Sequence, residues 1–422
     1  MIELDRLSAV VAEDAAIRRR QILQPVGGKG DKIFPPTYPA ERNNPPRHVY
    51  EKRKIDGRDV WCVLVDSVAS QANRMEEALQ AAIAEDVPIP HLYVDFAGKG
   101  IAGVERITSL EAPHRVYDAI LRDSLLDGLP FMSSPIGTRL AAAKPPDAAA
   151  LLEVAPTALL FGSWHSTGQG GGLGAKFARC LVSEIVAVDV PVEEIVNDRT
   201  GAVEPRTLGQ RVGSRIDPLG ILSEIKIYQA KSDPNDWTPF EEDAARKGND
   251  PILFIRKKGQ KAGRPAVINH GNIAPSVQPL GVTCDRLDHT FVLSCAGLRR
   301  LAFGGGARDA AGRTLLAALG LLAVTEQDAR GYALRSRCDL VCDRAAPFEI
   351  VRADGSTEPI AVTREAARSL YREAFAKAKE AGLGLCERPI RLEPQEKLVA
   401  IVKKSQELAL AGKGGEAEAE ED

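Results

Sequence analysis

The stretch Gly162-Ser163-Trp164-His165-Ser166-Thr167-Gly168-Gln169-Gly170-Gly171-Gly172-Leu173-Gly174-Ala175-Lys176-Phe177-Ala178-Arg179 gathers residue types that hold an anion. Its glycines let backbone N–H groups approach a ligand closely, its hydroxyls can donate, and Lys176 and Arg179 bring positive charge. The apolar run Ala158 to Phe161 before it reads as a strand. Ala175 to Ile185 after it reads as a helix, whose N-terminus would add free donors and a positive dipole end. On that helix Lys176 and Arg179 would face the same phosphates while Ala178, Leu181, Val182 and Ile185 pack inward. The chemistry indicated is phosphate binding.

A dinucleotide is the first owner to test, because Gly170 to Ala175 fits G-x-G-x-x-A with Asp189 about 20 residues on. The eight residues Gly162 to Gln169 separate the strand from the first glycine, whereas a dinucleotide turn follows its strand almost at once. The P-loop pattern also fails, since Ala175 precedes Lys176 where glycine is needed and Phe177 follows it. An enzyme binding a nucleotide through residues 168–176 stays open as an alternative without a motif behind it. No G-x-S-x-G surrounds a serine, and six histidines offer few candidate bases. Cys338 and Cys342 are spaced for one helix face, but Asp339-Leu340-Val341 between them reads as a strand and no second ligand pair lies near. The expectation is therefore no catalytic residue, no metal and no cofactor.

A long polyanion fits better. Trp164 and His165, on a loop, could stack on bases as single-strand binders require. Further polar and basic groups share this chemistry: Gln71, Asn73 and Arg74 on a helix face, His114 and Arg115 after Pro113, and Asn269, His270 and Asn272 in a proline-bounded loop. Lys29 and Lys32 join Phe34 and Tyr38 in the Gly/Pro-rich segment Gly27 to Pro39. Amide, guanidinium and imidazole groups on loops suit RNA backbone and 2′-hydroxyl contacts.

These groups need a scaffold, and 422 residues at 44% hydrophobic content supply one. Trp61 to Val65 predicts a strand, Asp66 or Ser67 a cap, and Val68, Ala72, Met75, Leu79 and Ala82 a helical stripe. Leu92 to Phe96 predicts the next strand, so Val60 to Phe96 reads as strand, helix, strand. From Asn197 to Pro279 proline, glycine and charge dominate, which predicts long loops and insertions. Order returns with a strand at Thr290 to Ser294, a helix at Arg313 to Val324, a strand at Leu340 to Cys342 and a helix from Arg364 to Ala381 stopped by Gly382. The alternation predicts an α/β or α+β body. No repeat of fixed period is visible, so any array is built from whole subunits.

Net charge is −3, but the low-complexity tail from Ala411 sets Lys413 against five acids, which leaves the rest of the chain at +1. A polyanion would then be held by local clusters rather than by global charge. Seven scattered cysteines suit a reducing compartment. With no run near the roughly 20 apolar residues of a membrane span and alternating charge from Met1 to Arg20, a cytoplasmic protein without a membrane partner is expected.

Three blocks resemble one CRISPR-associated group: Leu64-Val65-Asp66-Ser67-Val68-Ala69-Ser70-Gln71-Ala72-Asn73-Arg74-Met75-Glu76-Glu77-Ala78-Leu79, Ile107-Thr108-Ser109-Leu110-Glu111-Ala112-Pro113-His114-Arg115-Val116-Tyr117-Asp118-Ala119-Ile120, and the Gly162 to Arg179 loop. The group is the repeated backbone subunit of the type I-U (I-G) Cascade complex, in the RAMP superfamily, and the similarity extends over most of Val60 to Asp343. The resemblance implies an α+β fold: a modified RRM-like (ferredoxin-like) palm of antiparallel sheet and helices, with finger and thumb insertions. Residues 1–395 would form that domain, 197–280 a loop-rich insertion, and 396–422 a C-terminal segment with a disordered acidic tail at 411–422. Copies of the chain would line up on one CRISPR RNA, beside other Cascade subunits, and present the spacer to target DNA. In the wider superfamily a glycine-rich loop containing serine precedes a helix with lysine and arginine, and Ser166 to Arg179 is similar. The resemblance thus ranks Lys176 and Arg179 first as RNA contacts, with His165 and Ser166 next. Some type III relatives cut RNA with an aspartate on an early loop, where Asp31 sits. The surrounding pattern does not match, and type I backbones are not expected to cut, so a RAMP-type endonuclease is only an alternative.

Overall fold

The computed structural model describes residues 2–39, 47–165, 175–196, 201, 203–255 and 262–410. Two compact units divide the chain, one from residues 1–191 with 283–407 and one built around Val192–Val282.

The first unit is mixed α and β. In chain order its principal elements are α1 (Leu4–Glu13), β1 (Ala16–Pro25), β2 (Tyr50–Ile55), β3 (Arg58–Asp66), α2 (Val68–Ala84), β4 (Leu92–Asp95), α3 (Thr157–Leu160), β5 (Ser163–Trp164), β6 (Lys176–Phe177), β7 (Leu181–Val188) and β8 (Arg286–Ser294). There follow α4 (Gly306–Arg330), β9 (Tyr332–Arg335), β10 (Cys338–Arg344), β11 (Phe348–Val351), β12 (Thr357–Ile360), α5 (Arg364–Glu380), β13 (Ile390–Pro394) and α6 (Glu396–Leu410). The main sheet runs β2-β3-β7-β8-β1-β10-β9 and is antiparallel throughout, with β11 also pairing with β1 and carrying β12. Numbered first to fourth in chain order, β1, β7, β8 and β10 follow one another across the sheet as second-third-first-fourth (β7-β8-β1-β10), with α2 between the first and second in the chain and α4 between the third and fourth.

Strand alternation sets the two faces of this sheet. Ile17, Arg19, Gln21 and Leu23 on β1 and Leu287, His289, Phe291 and Leu293 on β8 are buried on one face, while Arg18, Arg20, Asp288 and Thr290 lie on the other. Helices α1, α2, α4 and α5 join the core. Helix α4 is buried nearly all round, and its Gly320 lets the methyls of Leu181 and Leu293 close on the helix backbone, since a Cβ there would sit 3.3 Å from one of them. Helix α2 is capped by the Ser67 hydroxyl, which accepts from the Ser70 N–H, and buries Ala72, Met75, Leu79 and Ala82 as the stripe predicts. Helix α5 buries Ala367, Leu370, Tyr371, Ala374, Phe375 and Ala378.

The expected strand, helix, strand over Val60 to Phe96 is present as β3, α2 and β4, with β4 in a separate five-stranded sheet, paired in parallel with β13. Around the glycine-rich stretch the expected elements are corrected: Ala158 to Phe161 is not a strand, Thr157–Leu160 is a turn of helix, and the expected helix over Ala175 to Ile185 is the strands β6 and β7. A short apolar run does not separate helix from buried strand by periodicity. The β-branched residues Val182, Ile185, Val186 and Val188 favour a pleated, half-buried position.

In the second unit Val192–Val196 pairs with Val203–Thr207, and Gln210–Arg215 pairs with Ile273–Pro279. A small cluster of Ile227, Phe254 and Val267 forms its interior. No helix among the described residues is long and apolar enough to cross a membrane. The acidic tail 411–422 lies outside the described residues.

Candidate nucleic-acid interface

The glycine-rich stretch is carried on a β-hairpin, not between a strand and a helix. Ser163 pairs with Phe177 and Trp164 with Lys176, and the His165 N–H donates to the Ala175 carbonyl at 2.8 Å. Ser166 and Thr167 to Gly174 lie outside the described residues. Lys176 and Arg179 therefore do not share a helix face, and the described residues that follow the loop are strands and not the expected helix, which removes the support of that helix N-terminus from a nucleotide cradle. What remains is a rung: the Trp164 side chain is 51% exposed, and the Lys176 ammonium sits 5.6 Å from the centre of its ring. Arg179 is exposed two residues before β7. Neither Lys176 nor Arg179 meets a carboxylate among the described residues.

The base of this hairpin is fixed from below. Gly162 takes φ +84°, and a Cβ there would press on the Phe177 carbonyl and on Arg179, so this position requires glycine. Arg115 holds the Gly162 carbonyl at 3.1 Å while its other nitrogens bind Glu76 at 2.8 and 2.7 Å. The guanidinium also stands 5.5 Å over the Phe161 ring. Burial raises the Glu76 carboxyl to about 7 despite the pull of Arg115. His165 is buried and stacks on Tyr117, ring centres 4.9 Å apart at 10°. Burial, then the charge of Arg122, pushes the His165 imidazole below its usual range.

Several expected contacts thus serve the fold. Arg115 and His165 are buried in the layer beneath the hairpin, one bound to the Gly162 carbonyl and the other stacked on Tyr117. Gln71 is fully buried: its amide donates to Asp66 at 2.7 Å, and its carbonyl accepts from Ser183 and Gln327. Arg74 spends its guanidinium on the buried Asp66 carboxylate at 2.9 Å and on the Leu334 carbonyl at 2.8 Å. These side chains lie on the inner side of a helix whose polar residues face another polar core group, which amphipathic spacing does not reveal.

Asn73 and His114 are exposed. Lys29 pairs with Asp343 at 3.0 Å, and Lys32 lies 5.6 Å from the Phe34 ring, which Arg337 also approaches at 4.9 Å. Asp31 accepts from the Lys32 N–H within its own turn. Asn269, His270 and Asn272 belong to the second unit, where Asn269 takes φ +60° and the Asn272 side chain accepts from the Asp217 N–H at 2.7 Å. The sequence reading missed the arginines of the main sheet, although Arg18-Arg19-Arg20 within an alternating strand is a visible signal: alternation sends Arg19 inward and leaves Arg18 and Arg20 on the open face. Among the described residues no group of three or more His, Cys, Asp or Glu is placed to hold a metal ion.

Residues 17–192, which include α2, Arg115, the paired strands β5 and β6 and all but the first residue of β1, match the family described as CRISPR-associated protein GSU0053. The match ends where the second unit begins. No curated protein matches the chain.

Proposed function

We propose, from the match of residues 17–192 to the CRISPR-associated GSU0053 family, a RAMP-type family, that this chain is the non-catalytic, RNA-binding backbone subunit of a type I-U (I-G) Cascade complex. Copies of it line up along one CRISPR RNA in the cytoplasm, beside other Cascade subunits, and leave the spacer free to pair with target DNA. The observation that carries this reading is the exposed Trp164–Lys176 rung, with Arg179 nearby, on a hairpin whose base is held rigidly. An exposed indole offers a π-face to any base, and two cations without carboxylate partners among the described residues offer phosphate contacts, the combination that binds single strands. The antiparallel sheet with its second-third-first-fourth strand order and two intervening helices supports reading the first unit as an RRM-like palm. The hairpin and the unit inserted after β7 are then its finger and thumb elements.

The test is binding of single-stranded RNA by the purified chain, alone and with its partner subunits, across a salt series. Lys176→Ala with Arg179→Ala is expected to weaken binding and to flatten the salt dependence by about 1.4 in log–log slope, roughly 0.7 per lost single-strand phosphate contact. Trp164→Ala is expected to cost about 1–3 kcal/mol with little change in that slope. A chain that purifies free of nucleic acid and binds no CRISPR RNA with its partners present would refute the reading.

A further inference from the structure

The open face of the main sheet carries a cluster of arginines around a cavity of about 310 Å³ lined by Arg18, Arg20, Ile22, Arg286, Asp288 and Glu349 among others. Three arginines of this face are already neutralised. Arg18 binds Glu349 at 2.8 Å, Arg286 binds Asp288 at 2.9 Å, and Arg53 binds Glu184 at 3.0 Å. Two others are not: Arg20 and Arg344 are exposed, and neither meets a carboxylate among the described residues. They are neighbours. Arg344 pairs directly with Ile22 across β1 and β10, and Arg20 lies two residues before Ile22 on the same face. That diagonal places the two backbones about 7–8 Å apart, so two cations without a carboxylate partner among the described residues are neighbours on one face, with Arg20 lining the cavity.

The geometry points to a second phosphodiester-binding site here, in which the RNA backbone bridges Arg20 and Arg344 beside the cavity. This rests on the RNA-binding reading and extends it to a different surface. The register rows of this face are Val182-Val292-Arg18-Glu349, then Glu184-Thr290-Arg20, then Val186-Asp288-Ile22-Arg344. They contain no aromatic ring, so bases are not stacked on this sheet in the manner of an RRM, and the contact is with phosphate. An arginine fork is suited to that ligand, since it meets phosphate oxygens in bidentate fashion. The two carboxylates that line the cavity, Glu349 and Asp288, are each paired with an arginine, Arg18 and Arg286.

Fluorescence anisotropy of a labelled single-stranded RNA with the full chain, over a salt series, tests the site. Arg20→Glu with Arg344→Glu is expected to weaken binding at low salt at least tenfold and to lower the salt slope by about 1.4. Arg20→Lys with Arg344→Lys is expected to restore most of the slope. The effect of Trp164→Ala is expected to be the same in either background. A charge-reversed variant that melts like the wild type and keeps wild-type affinity and slope overturns the site while leaving the hairpin reading intact. Unchanged RNA binding with lost binding of polyglutamate overturns it in favour of an acidic protein partner. A wild-type chain that binds no RNA overturns the underlying reading itself.

Discussion

Arg115 gives away both ends of its guanidinium, two bonds to Glu76 and one to the Gly162 carbonyl, with little of its surface left to solvent. Its value to the molecule is positional: it joins α2 to the backbone from which the hairpin rises. Removing one member of such a buried pair leaves the other buried without its partner. Arg115→Ala is therefore expected to destabilise the fold by about 3–5 kcal/mol, measured by urea unfolding. The pair Glu76→Leu with Arg115→Met should lose much less, because it buries no orphan charge. Equal losses in the two variants would show that the Gly162 bond, not the ion pair, carries the stability. Trp164 sits at the other end of this logic: it is the largest exposed ring on the hairpin, and its removal should alter RNA binding without altering the fold.

Elements are welded by a buried polar chain that runs from sheet to helix. The Gln21 amide on β1 donates to His289 Nδ1 on β8 at 2.9 Å, which leaves Nε2–H to donate to the Ser183 hydroxyl on β7 at 2.9 Å. Ser183 then donates to the Gln71 carbonyl on α2 at 3.1 Å, and Gln71 donates to Asp66. Burial, reinforced by nearby Arg19, pushes the His289 imidazole down to about 3, so it stays neutral in the fold. The unfolded chain binds a proton there near its ordinary value of about 6.5. The contribution to stability is thus fully present above about 6.5 and is lost as pH falls toward about 3. Each pH unit in that window should cost up to about 1.4 kcal/mol. Thermal melting between pH 7 and pH 4 is expected to show a steeper acid loss for the wild type than for His289→Gln, and parallel curves would refute the assignment.

At the scale of the whole molecule, the second unit enters between two register partners of the main sheet. Val188 at the end of β7 faces Arg286 at the start of β8, and the Asp285 N–H donates to the Val188 carbonyl at 3.0 Å. The first unit therefore holds its own closure, and 192–282 is an excursion from a strand pair. Each halving of a flexible loop lowers the closure cost by about 0.6 kcal/mol. Replacing 192–282 with a short Gly/Asn turn is expected to leave far-UV circular dichroism of the sheet and a single cooperative melt in place. A chain that no longer folds would show that the second unit completes the first. The CRISPR-associated family match, confined to residues 17–192, likewise ends at this excursion.

The sequence by itself determined the amphipathic helices and the alternating strands, because Met75, Leu79, Leu370 and Phe375 or Phe291 and Leu293 have one apolar side to hide and a period that says how. It also raised the expectation of a phosphate contact at Gly162 to Arg179 and of long loops and insertions after Asn197. Only the tertiary structure decided that Ala175 to Ile185 is extended, since a half-buried strand beside β3 and β8 outweighs a local pattern that also suits a helix. It alone sorted the polar residues. Gln71, Arg74 and Arg115 are drawn inward because Asp66 and Glu76, the latter 39 residues from Arg115, wait there as buried partners. Arg20 and Arg344 stay outside because no carboxylate of the described fold reaches them, and a residue's partners are a property of the packing that brings distant segments together.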